Sequence, residues 1–184
     1  MLVIVNKKKF ARFVAVILLI VALLSVNSVL RLIYPLEYEN EIVKYSTEFG
    51  LDKHLIMGII SAESGFDKDA VSNKNAVGLM QIKAETAQWC VERLDIKEDI
   101  SDLSDANVNI RIGCAYLNYL MELFENEETA VAAYNAGLGN VRKWLENAEY
   151  SEDGKTLSKI PFVETDKYVE RVFSRKKTYK KLYE

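Results

Sequence analysis

The sequence predicts an all-α protein in which one N-terminal membrane helix precedes a small helical domain. Residues 13–30 form a long apolar run, and the apolar residues beyond it recur at the spacing of amphipathic helices. No segment alternates apolar and polar residues over a length typical of a strand. A chain of 184 residues is long enough for one globular domain and short for two.

The N-terminal run has the features of a membrane-spanning helix. It comprises the eighteen residues Phe13 to Leu30, interrupted only by Ser25, Asn27 and Ser28. A helix of that length reaches about 27 Å, close to the roughly 30 Å hydrocarbon core of a bilayer. Basic residues precede it, namely Lys7, Lys8, Lys9 and Arg12. Because positive charge stays on the cytoplasmic side, we expect the N-terminus inside the cell and the rest of the chain outside.

This reading divides the chain into a short basic cytoplasmic segment at 1–12, a transmembrane anchor at 13–33 and an exported domain at 34–184. A cleavable signal peptide is the alternative for the second part, with 26–28 as a poor cleavage site. An anchored domain would face outward from a single-pass cell-membrane protein, and a cleaved one would be secreted. Both alternatives place the domain outside the cytoplasm.

Helical segments follow one another through the exported domain. Asp52, Asp105 and Thr165 are residue types that commonly cap helix N-termini. Helices are predicted over 39–49, from Asp52 past Ile60, over about 78–94, from Ser104 or Asp105 to Phe124, over about 127–135 and 138–147, and from Thr165 onward. Polar loops are expected over 67–75 and 149–158.

Composition excludes several function classes. Residues 34–184 contain 19 of the 24 Lys+Arg residues and all 27 Asp+Glu residues. Such an acidic domain repels phosphates, which argues against nucleic-acid binding. The single histidine, His54, is expected to be exposed and has no second histidine for a zinc cluster. We expect no metal and no cofactor, and the pattern indicates no particular protein partner.

The cysteines and the C-terminal charges allow more than one interpretation. Cys90 and Cys114 lie in apolar helical patterns of an exported domain, which suits a disulfide and two buried free thiols equally. The basic residues near the C-terminus are interpreted as a solvated helix face rather than a site for anionic polymer or lipid. They are Arg171, Arg175, Lys176, Lys177, Lys180 and Lys181.

Glu63 is the carboxylate that stands out. It follows Ile59 by four residues and Ile60 by three, which places its carboxyl on the apolar face of a helix. Loss of water there raises the pKa of a carboxyl and keeps it protonated near neutral pH, as a general acid requires. Hydrogen bonds from backbone amides or a nearby lysine would give it a purely structural role instead.

The motifs around Glu63 resemble those of a known family. In order they are Glu63-Ser64, Ser72, Gly78-Leu79-Met80-Gln81 and Ala133-Tyr134-Asn135-Ala136-Gly137, followed by the segment 161–169. Over about residues 40–175 this set is similar to the catalytic domain of the soluble lytic transglycosylases, which has a lysozyme-like fold. Members of that family cleave the β-1,4 bond between N-acetylmuramic acid and N-acetylglucosamine in peptidoglycan without water, leaving a 1,6-anhydromuramic end.

The resemblance implies a role for each matched residue. Glu63 would be the catalytic carboxyl, donating a proton to the glycosidic oxygen and later removing one from the C6 hydroxyl of muramic acid. The residues that would bind the sugars or orient the acid are Ser72, Met80, Gln81, Tyr134, Asn135 and Tyr168. For Tyr168 a core-packing role fits equally well. The implied partners are peptidoglycan glycan strands and, through residues 13–33, the membrane.

Two other functions stay open. An ordinary glycosidase needs a second carboxylate, about 5 Å away as a nucleophile or about 6.5 to 9.5 Å away to activate water, and among the matched segments Glu164 offers one. A lysozyme-type hydrolase is therefore one alternative, and a non-catalytic glycan-binding module is the other. The chain departs from the family pattern at Asn75, Val77 and Lys83-Ala84, which affects the expected subsites rather than the fold.

Overall fold

The computed structural model describes residues 7–184, with the side chains of all of these except 22–25 and 27. Residues 1–6 of the expected cytoplasmic segment and those side chains of the expected anchor lie outside this description. The chain divides into two units, Met1–Leu36 and Glu37–Glu184.

The first unit contains one described helix, α1 (Lys7–Ile33). Its described apolar side chains are mostly exposed, with Phe13 and Leu18 each at 63%. Within the residues described, no helix is both long enough and apolar enough to cross a membrane. This finding does not support the span expected over 13–33.

The second unit is helical throughout its regular structure. Its helices are α2 (Glu39–Glu48), α3 (Lys53–Glu63), α4 (Ala84–Arg93), α5 (Ala106–Leu123), α6 (Glu127–Ala136), α7 (Leu138–Leu145) and α8 (Val163–Tyr183). No β-strand occurs in residues 37–184. Isolated antiparallel bridges join Val77 to Val71 and to Ile82. The predicted all-α class is confirmed.

Helix α3 runs through the core of this unit and packs most extensively against α8. Every residue from His54 to Ser61 is buried. Gly58 permits the close approach of the two helices, since a Cβ atom there would lie 2.8 Å from the carbonyl oxygen of Val172. The last residue of α3, Glu63, therefore emerges from the core rather than from a surface loop.

Two expected helix caps are confirmed and one is wrong. Asp52 accepts a hydrogen bond from the backbone N–H of His54 at 2.8 Å, and Asp105 caps α5 in the same way. Helix α8 begins at Val163, two residues before the expected cap Thr165. Thr165 is buried in the first turn and donates its hydroxyl hydrogen bond to another helix, so it is not free to cap its own.

The helix expected over 78–94 is shorter than predicted. Residues 78–82 form a tight turn, and α4 starts only at Ala84. Gly78 has φ +80° and Gln81 has φ +51°, values that a right-handed helix excludes. The apolar spacing of Leu79, Met80 and Ile82 arises because this turn is buried, not because it is one face of a helix.

His54 is not exposed as expected, and the state of the two cysteines is resolved. His54 is only 4% exposed because α3 is enclosed on all sides there, and its Nδ1 lies 3.2 Å from Asp52 Oδ1. Cys90 and Cys114 are both buried free thiols. Burial raises the pKa of the Cys90 thiol to about 12, which leaves it unreactive at neutral pH.

The basic residues of α8 are only partly a solvated face. Lys176 Nζ lies 2.8 Å from Glu127 Oε2 and 3.2 Å from Asp52 Oδ2. The Arg175 guanidinium donates to the hydroxyl of Ser61 at 2.9 Å. These two cations connect α8 with α3 and α6, so the expectation of full solvation is wrong for them.

Candidate active site

A cleft of about 540 Å³ lies where the segment 72–86 meets the ends of α3 and α6 and the start of α8. Most of the residues expected at the site line this cleft, although they come from three separate parts of the sequence. They are Glu63, Ser72, Gln81, Tyr134 and Asn135. The remaining two, Met80 and Tyr168, lie behind its wall.

Glu63 is half-buried at the C-terminal end of α3. Burial raises the pKa of its carboxyl from the usual 4.5 to about 7, while the Tyr168 hydroxyl and the Arg171 guanidinium act in the opposite direction. Its neighbour Ser64 anchors this helix end, donating a hydrogen bond to the carbonyl of Leu79 at 2.9 Å. At neutral pH the carboxyl is thus divided between its protonated and ionised forms.

Tyr168 lies behind the acid rather than in the cleft. Its side chain is 2% exposed, and the Arg171 guanidinium lies 5.8 Å from the centre of its ring. Its hydroxyl reaches no acceptor with standard hydrogen-bond geometry among the described residues. The Tyr168 hydroxyl stabilises the ionised form of the Glu63 carboxyl. The hydroxyl thereby holds the pKa of Glu63 below the value that burial alone would give. The core-packing and acid-orienting interpretations of Tyr168 are therefore compatible.

A buried amide holds the turn that forms one wall. Asn109 on α5 is fully buried, accepts from the backbone N–H of Met80 at 2.7 Å, and donates to the carbonyls of Val77 at 2.9 Å and Leu103 at 2.7 Å. A Cβ atom at Gly78 would lie 2.4 Å from the Asn109 Nδ2 atom. Only glycine fits both this contact and the positive φ.

Ser72 and Gln81 shape the same wall through hydrogen bonds to the backbone. The Ser72 hydroxyl oxygen accepts from the backbone N–H of Ala76 at 3.0 Å. The Gln81 side-chain amide donates to the carbonyls of Ala70 at 3.1 Å and Gly78 at 3.0 Å. These bonds fix the orientation of both side chains and leave the Ser72 hydroxyl hydrogen and the Gln81 carbonyl oxygen for a ligand.

The opposite wall comes from α6 and α8. Tyr134 donates its hydroxyl to the carbonyl of Met80 at 2.9 Å, and its ring packs 5.7 Å from that of Tyr116. The Asn135 side-chain oxygen accepts from the Thr165 hydroxyl at 2.9 Å. The Tyr134 hydrogen bond therefore connects the two walls of the cleft.

Met80 contributes to the site through its backbone alone. Its side chain is fully buried and faces Gly113 on α5, where a Cβ atom would lie 2.4 Å from the sulfur. The side chain of the expected sugar-binding residue Met80 therefore does not line the cleft, because the positive φ of Gln81 and the Asn109 hydrogen bond turn it inward.

Several residues of the cleft were not anticipated. They are Asn73, Lys74, Ala76, Ile82, Thr86 and Tyr116. Proximity to the matched motifs is the only sequence signal for most of them. Asn109, which holds the wall from outside the cleft, has a clearer sequence signal. A polar residue within the apolar pattern of a long helix is unusual and indicates a buried side chain with hydrogen-bond partners.

The cleft is suited to proton transfer on a polar, uncharged substrate. Amides and hydroxyls that line it can bind sugar hydroxyl and acetamido groups, and Glu63 can give or take one proton near neutral pH. A second carboxylate, Glu164, lines the same cleft. No group of His, Cys, Asp and Glu side chains in the described residues is arranged to hold a metal ion.

The unit is helical, and its cleft holds one half-buried carboxyl, that of Glu63. Residues 40–157 match the family model of the transglycosylase SLT domain, and the chain belongs to that family. The soluble lytic murein transglycosylase of Salmonella typhimurium is 35% identical over 145 residues, which are 77% of this chain and 22% of that protein. The corresponding protein of Escherichia coli K12 is 36% identical over the same shares.

Solved structures give the same result for the fold. An inactive mutant of the lytic transglycosylase Slt from Pseudomonas aeruginosa is similar with a TM-score of 0.73 and 34% identity, over 83% of this chain and 25% of that one. The 70-kDa soluble lytic transglycosylase in complex with bulgecin A has the same TM-score at 32% identity and the same shares. The chain spans about a quarter of the length of these relatives, and the expected lysozyme-like fold is confirmed.

Proposed function

We propose that residues 34–184 act as a peptidoglycan lytic transglycosylase, cleaving the β-1,4 bond between N-acetylmuramic acid and N-acetylglucosamine without water. The observation that carries the proposal is the half-buried Glu63 carboxyl, with a pKa of about 7, on the wall of a polar cleft. Membership of the transglycosylase SLT domain family supports the reaction class. The names of its sequence relatives support murein as the substrate.

In this mechanism Glu63 acts twice. The protonated carboxyl donates its proton to the glycosidic oxygen as that oxygen separates from C1 of muramic acid and leaves with N-acetylglucosamine. The substrate's own acetamido group stabilises the electron-poor C1. The Glu63 carboxylate then takes the proton of the C6 hydroxyl of muramic acid, whose oxygen bonds to C1. Glu63 ends protonated, no water is consumed, and a 1,6-anhydro end is formed.

The other matched residues either contact the sugar or support the site from outside the sugar contacts. We assign sugar contacts to Ser72, Gln81 and Asn135, whose polar groups face the cleft. Tyr134 closes the cleft beside Glu63 and connects the walls through Met80. Tyr168 is a positioning residue, since its buried hydroxyl acts on Glu63 and not on a ligand. A pKa near 7 allows one carboxyl to serve as acid and base in turn.

Glu164 favours a second candidate, a hydrolase of the lysozyme type. It lines the same cleft as Glu63, and a second carboxylate is what water activation or covalent catalysis would require. The products separate the two reactions, because hydrolysis leaves reducing muramic ends and transglycosylation leaves anhydro ends.

Mass spectrometry of the soluble products from purified peptidoglycan tests the proposal. The full chain in detergent is compared with Glu63→Gln and Glu164→Gln. We expect anhydromuropeptides from wild type and Glu164→Gln, and a loss of at least about 100-fold in rate for Glu63→Gln. Reducing-end products that disappear in Glu164→Gln would establish the hydrolase. A wild-type chain that binds peptidoglycan and releases no product would indicate a glycan-binding module.

We further propose that residues 13–33 anchor the protein in the cell membrane, with the domain outside. The support is the uninterrupted apolar sequence from Phe13 to Leu24 and the basic residues before it. A cleavable signal peptide accounts for the same pattern. The first residue of the mature chain distinguishes a signal peptide from an anchor.

Membrane fractionation with intact-mass measurement tests the anchor. We expect the full-length chain in the membrane fraction after alkaline carbonate extraction. Leu19→Arg places a charge in the middle of the segment, at a cost of about 3 kcal/mol, and should release part of the protein. Val71→Arg, an exposed position of the domain, is the matched control. Release of the wild-type chain from the membrane would refute the anchor. A mature chain that has lost its residues up to about residue 28 would establish a signal peptide.

A further inference from the structure

The charge of the cleft differs from that of the domain around it. Residues 34–184 carry 19 basic against 27 acidic residues, yet two lysines, Lys74 and Lys83, line the cleft. A ligand entering the cleft therefore meets two positive charges on an otherwise acidic domain. Against them stand Glu63, which is partly protonated near neutral pH, and Glu164.

Neither lysine has an internal partner that would explain its place. Lys74 and Lys83 make no ion pair with any carboxylate in the part of the chain that the structure describes. Some other lysines of the domain do, since Lys159 Nζ lies 2.7 Å from Glu149 and Lys176 Nζ lies 2.8 Å from Glu127, whereas Lys143, outside the cleft, is also without an ion pair among the described residues. An exposed ammonium without a protein partner keeps its full capacity to pair with an anionic ligand.

The two lysines belong to one wall of the cleft. Lys74 lies in the turn that Ser72 closes by hydrogen bonds, and Lys83 directly follows Ile82, which pairs with Val77 in the antiparallel bridge. Lys83 is also the N-cap residue of α4, where a positive side chain opposes the helix dipole and gains nothing for the helix. The helix dipole therefore gives no reason for a positive charge at Lys83.

Glu164 belongs to the other wall. It is in the first turn of α8, whose Thr165 is hydrogen-bonded to Asn135. The lysines are thus free to meet a substrate anion on their side of the cleft.

We propose that Lys74 and Lys83 form a carboxylate-binding subsite that makes this domain select glycan strands with free carboxylates on their muramic residues. The inference rests on the proposed function and adds a specificity that the family assignment does not contain. The carboxylate has two sources in peptidoglycan: the lactyl group of a strand without peptides, and the stem peptide where one is attached. Each lysine would contribute a charge-assisted hydrogen bond.

Binding to the inactive full-length chain tests this subsite. Glu63→Gln is titrated by calorimetry, in detergent at low salt, with three ligands. These are a peptide-free tetrasaccharide of alternating N-acetylglucosamine and N-acetylmuramic acid, the same strand with stem peptides, and neutral chitotetraose. The test variant carries Lys74→Met and Lys83→Met in addition to Glu63→Gln. The matched control carries Lys143→Met in addition to Glu63→Gln, because Lys143 is exposed on α7 outside the cleft.

We expect the double lysine variant to bind the anionic strands about tenfold more weakly, which corresponds to about 1.4 kcal/mol, and chitotetraose unchanged. The Lys143→Met control should bind all three like the parent. Weakening confined to the peptide-free strand identifies the lactyl carboxylate as the ligand, and weakening confined to the peptide-bearing strand identifies the stem peptide.

Other outcomes overturn the inference in distinguishable ways. Unchanged binding of both anionic strands, or equal weakening for chitotetraose, refutes the carboxylate subsite and leaves the proposed function intact. Failure of Glu63→Gln to bind any of the three glycans refutes the proposed function and the subsite together. Melting curves of the variants confirm that each remains folded.

Discussion

Glu63 owes its chemistry to where α3 ends. The residues before it are buried, so its carboxyl emerges partly shielded from water, and the ionised form loses hydration. The Tyr168 hydroxyl and Arg171 guanidinium recover part of that loss, and the pKa settles at about 7. A more buried carboxyl without these two groups would stay protonated and could not act as a base.

The pH dependence of activity should respond to Tyr168. Tyr168→Phe removes the hydroxyl that lowers the pKa of Glu63, so the protonated acid persists to higher pH. In wild type, the pKa of Glu63 places the alkaline limb of the kcat/KM profile near pH 7. We expect this limb to move to higher pH in Tyr168→Phe. Tyr150→Phe, outside the cleft, is the control. A downward shift, or none, in pH–rate profiles would contradict this role.

Glu63 should also make stability depend on pH. Its native pKa of about 7 exceeds the usual 4.5, so the native state keeps the proton over a range in which the unfolded chain has lost it. Stability therefore falls as pH rises through this window. Glu63→Gln should be more stable than wild type above pH 7, by as much as about 3 kcal/mol, and equal to it near pH 4. Urea unfolding at both pH values measures the difference, and a constant difference would rule out this origin.

At the level of elements, the site depends on how a turn and two helices are held together. Asn109 of α5 holds the turn over 78–82 by three hydrogen bonds, one to Met80 within the turn, one to Val77 just before it and one to Leu103 near the start of α5. Helices α3 and α8 approach closely at Gly58 and carry Glu63 and Tyr168 respectively. Loss of either contact should disturb the site without changing Glu63 or another residue that lines the cleft.

Asn109→Ala should destabilise the domain and reduce activity together. It leaves the Met80 N–H and the Val77 and Leu103 carbonyls unpaired, at a cost of about 2–4 kcal/mol. Asn118→Ala on the same helix is the control, since Asn118 bonds only to Glu122 and should cost under about 0.5 kcal/mol. Equal effects in thermal unfolding would show that Asn109 has no special role.

Gly58→Ala should force α3 and α8 apart. The added methyl group meets the Val172 carbonyl at 2.8 Å, and overpacking of this kind costs about 1–3 kcal/mol. Gly139→Ala on α7, where nothing lies within 4 Å, should instead stabilise slightly through helix propensity. Denaturant midpoints of the two variants decide the comparison, and a Gly58→Ala protein as stable as wild type would show that the helices adjust.

On the scale of the whole molecule, the second unit is joined by its core and by a few interhelical charges, without a disulfide. Lys176 connects α8 to Asp52 before α3 and to Glu127 at the start of α6. Burial raises the pKa of Cys90 to about 12, and Cys114 is fully buried as well. Stability of this unit therefore depends on packing rather than on covalent links.

Both thiols should be unreactive until the protein unfolds. We expect no alkylation by iodoacetamide of the native chain at pH 8, and labelling of Cys90 and Cys114 once denaturant is added, because a buried thiol has no exposed thiolate. The melting temperature should be the same with and without reductant. Labelling of neither cysteine after unfolding without reductant would reveal a disulfide instead.

Much of the site was predictable because its signals are local. Asp52 and Asp105 cap helices wherever a helix follows them, and the motif residues recur at readable spacings. The structure brings Glu63, Ser72, Gln81, Tyr134 and Asn135 to one cleft. The side chains that lie elsewhere than expected, such as those of Met80 and Thr165, are those whose direction is set by a distant partner.

The sequence by itself determined the helical class, most element boundaries and the family, and it singled out Glu63 as the candidate acid, because apolar periodicity, capping residues and motif spacing depend on neighbours along the chain. Only the tertiary structure decided the pKa of Glu63, the burial of His54, the inward turn of Met80 and the place of Lys74 and Lys83 in the cleft. Those properties depend on desolvation and contacts between residues far apart in sequence, and they exist only once the helices have packed.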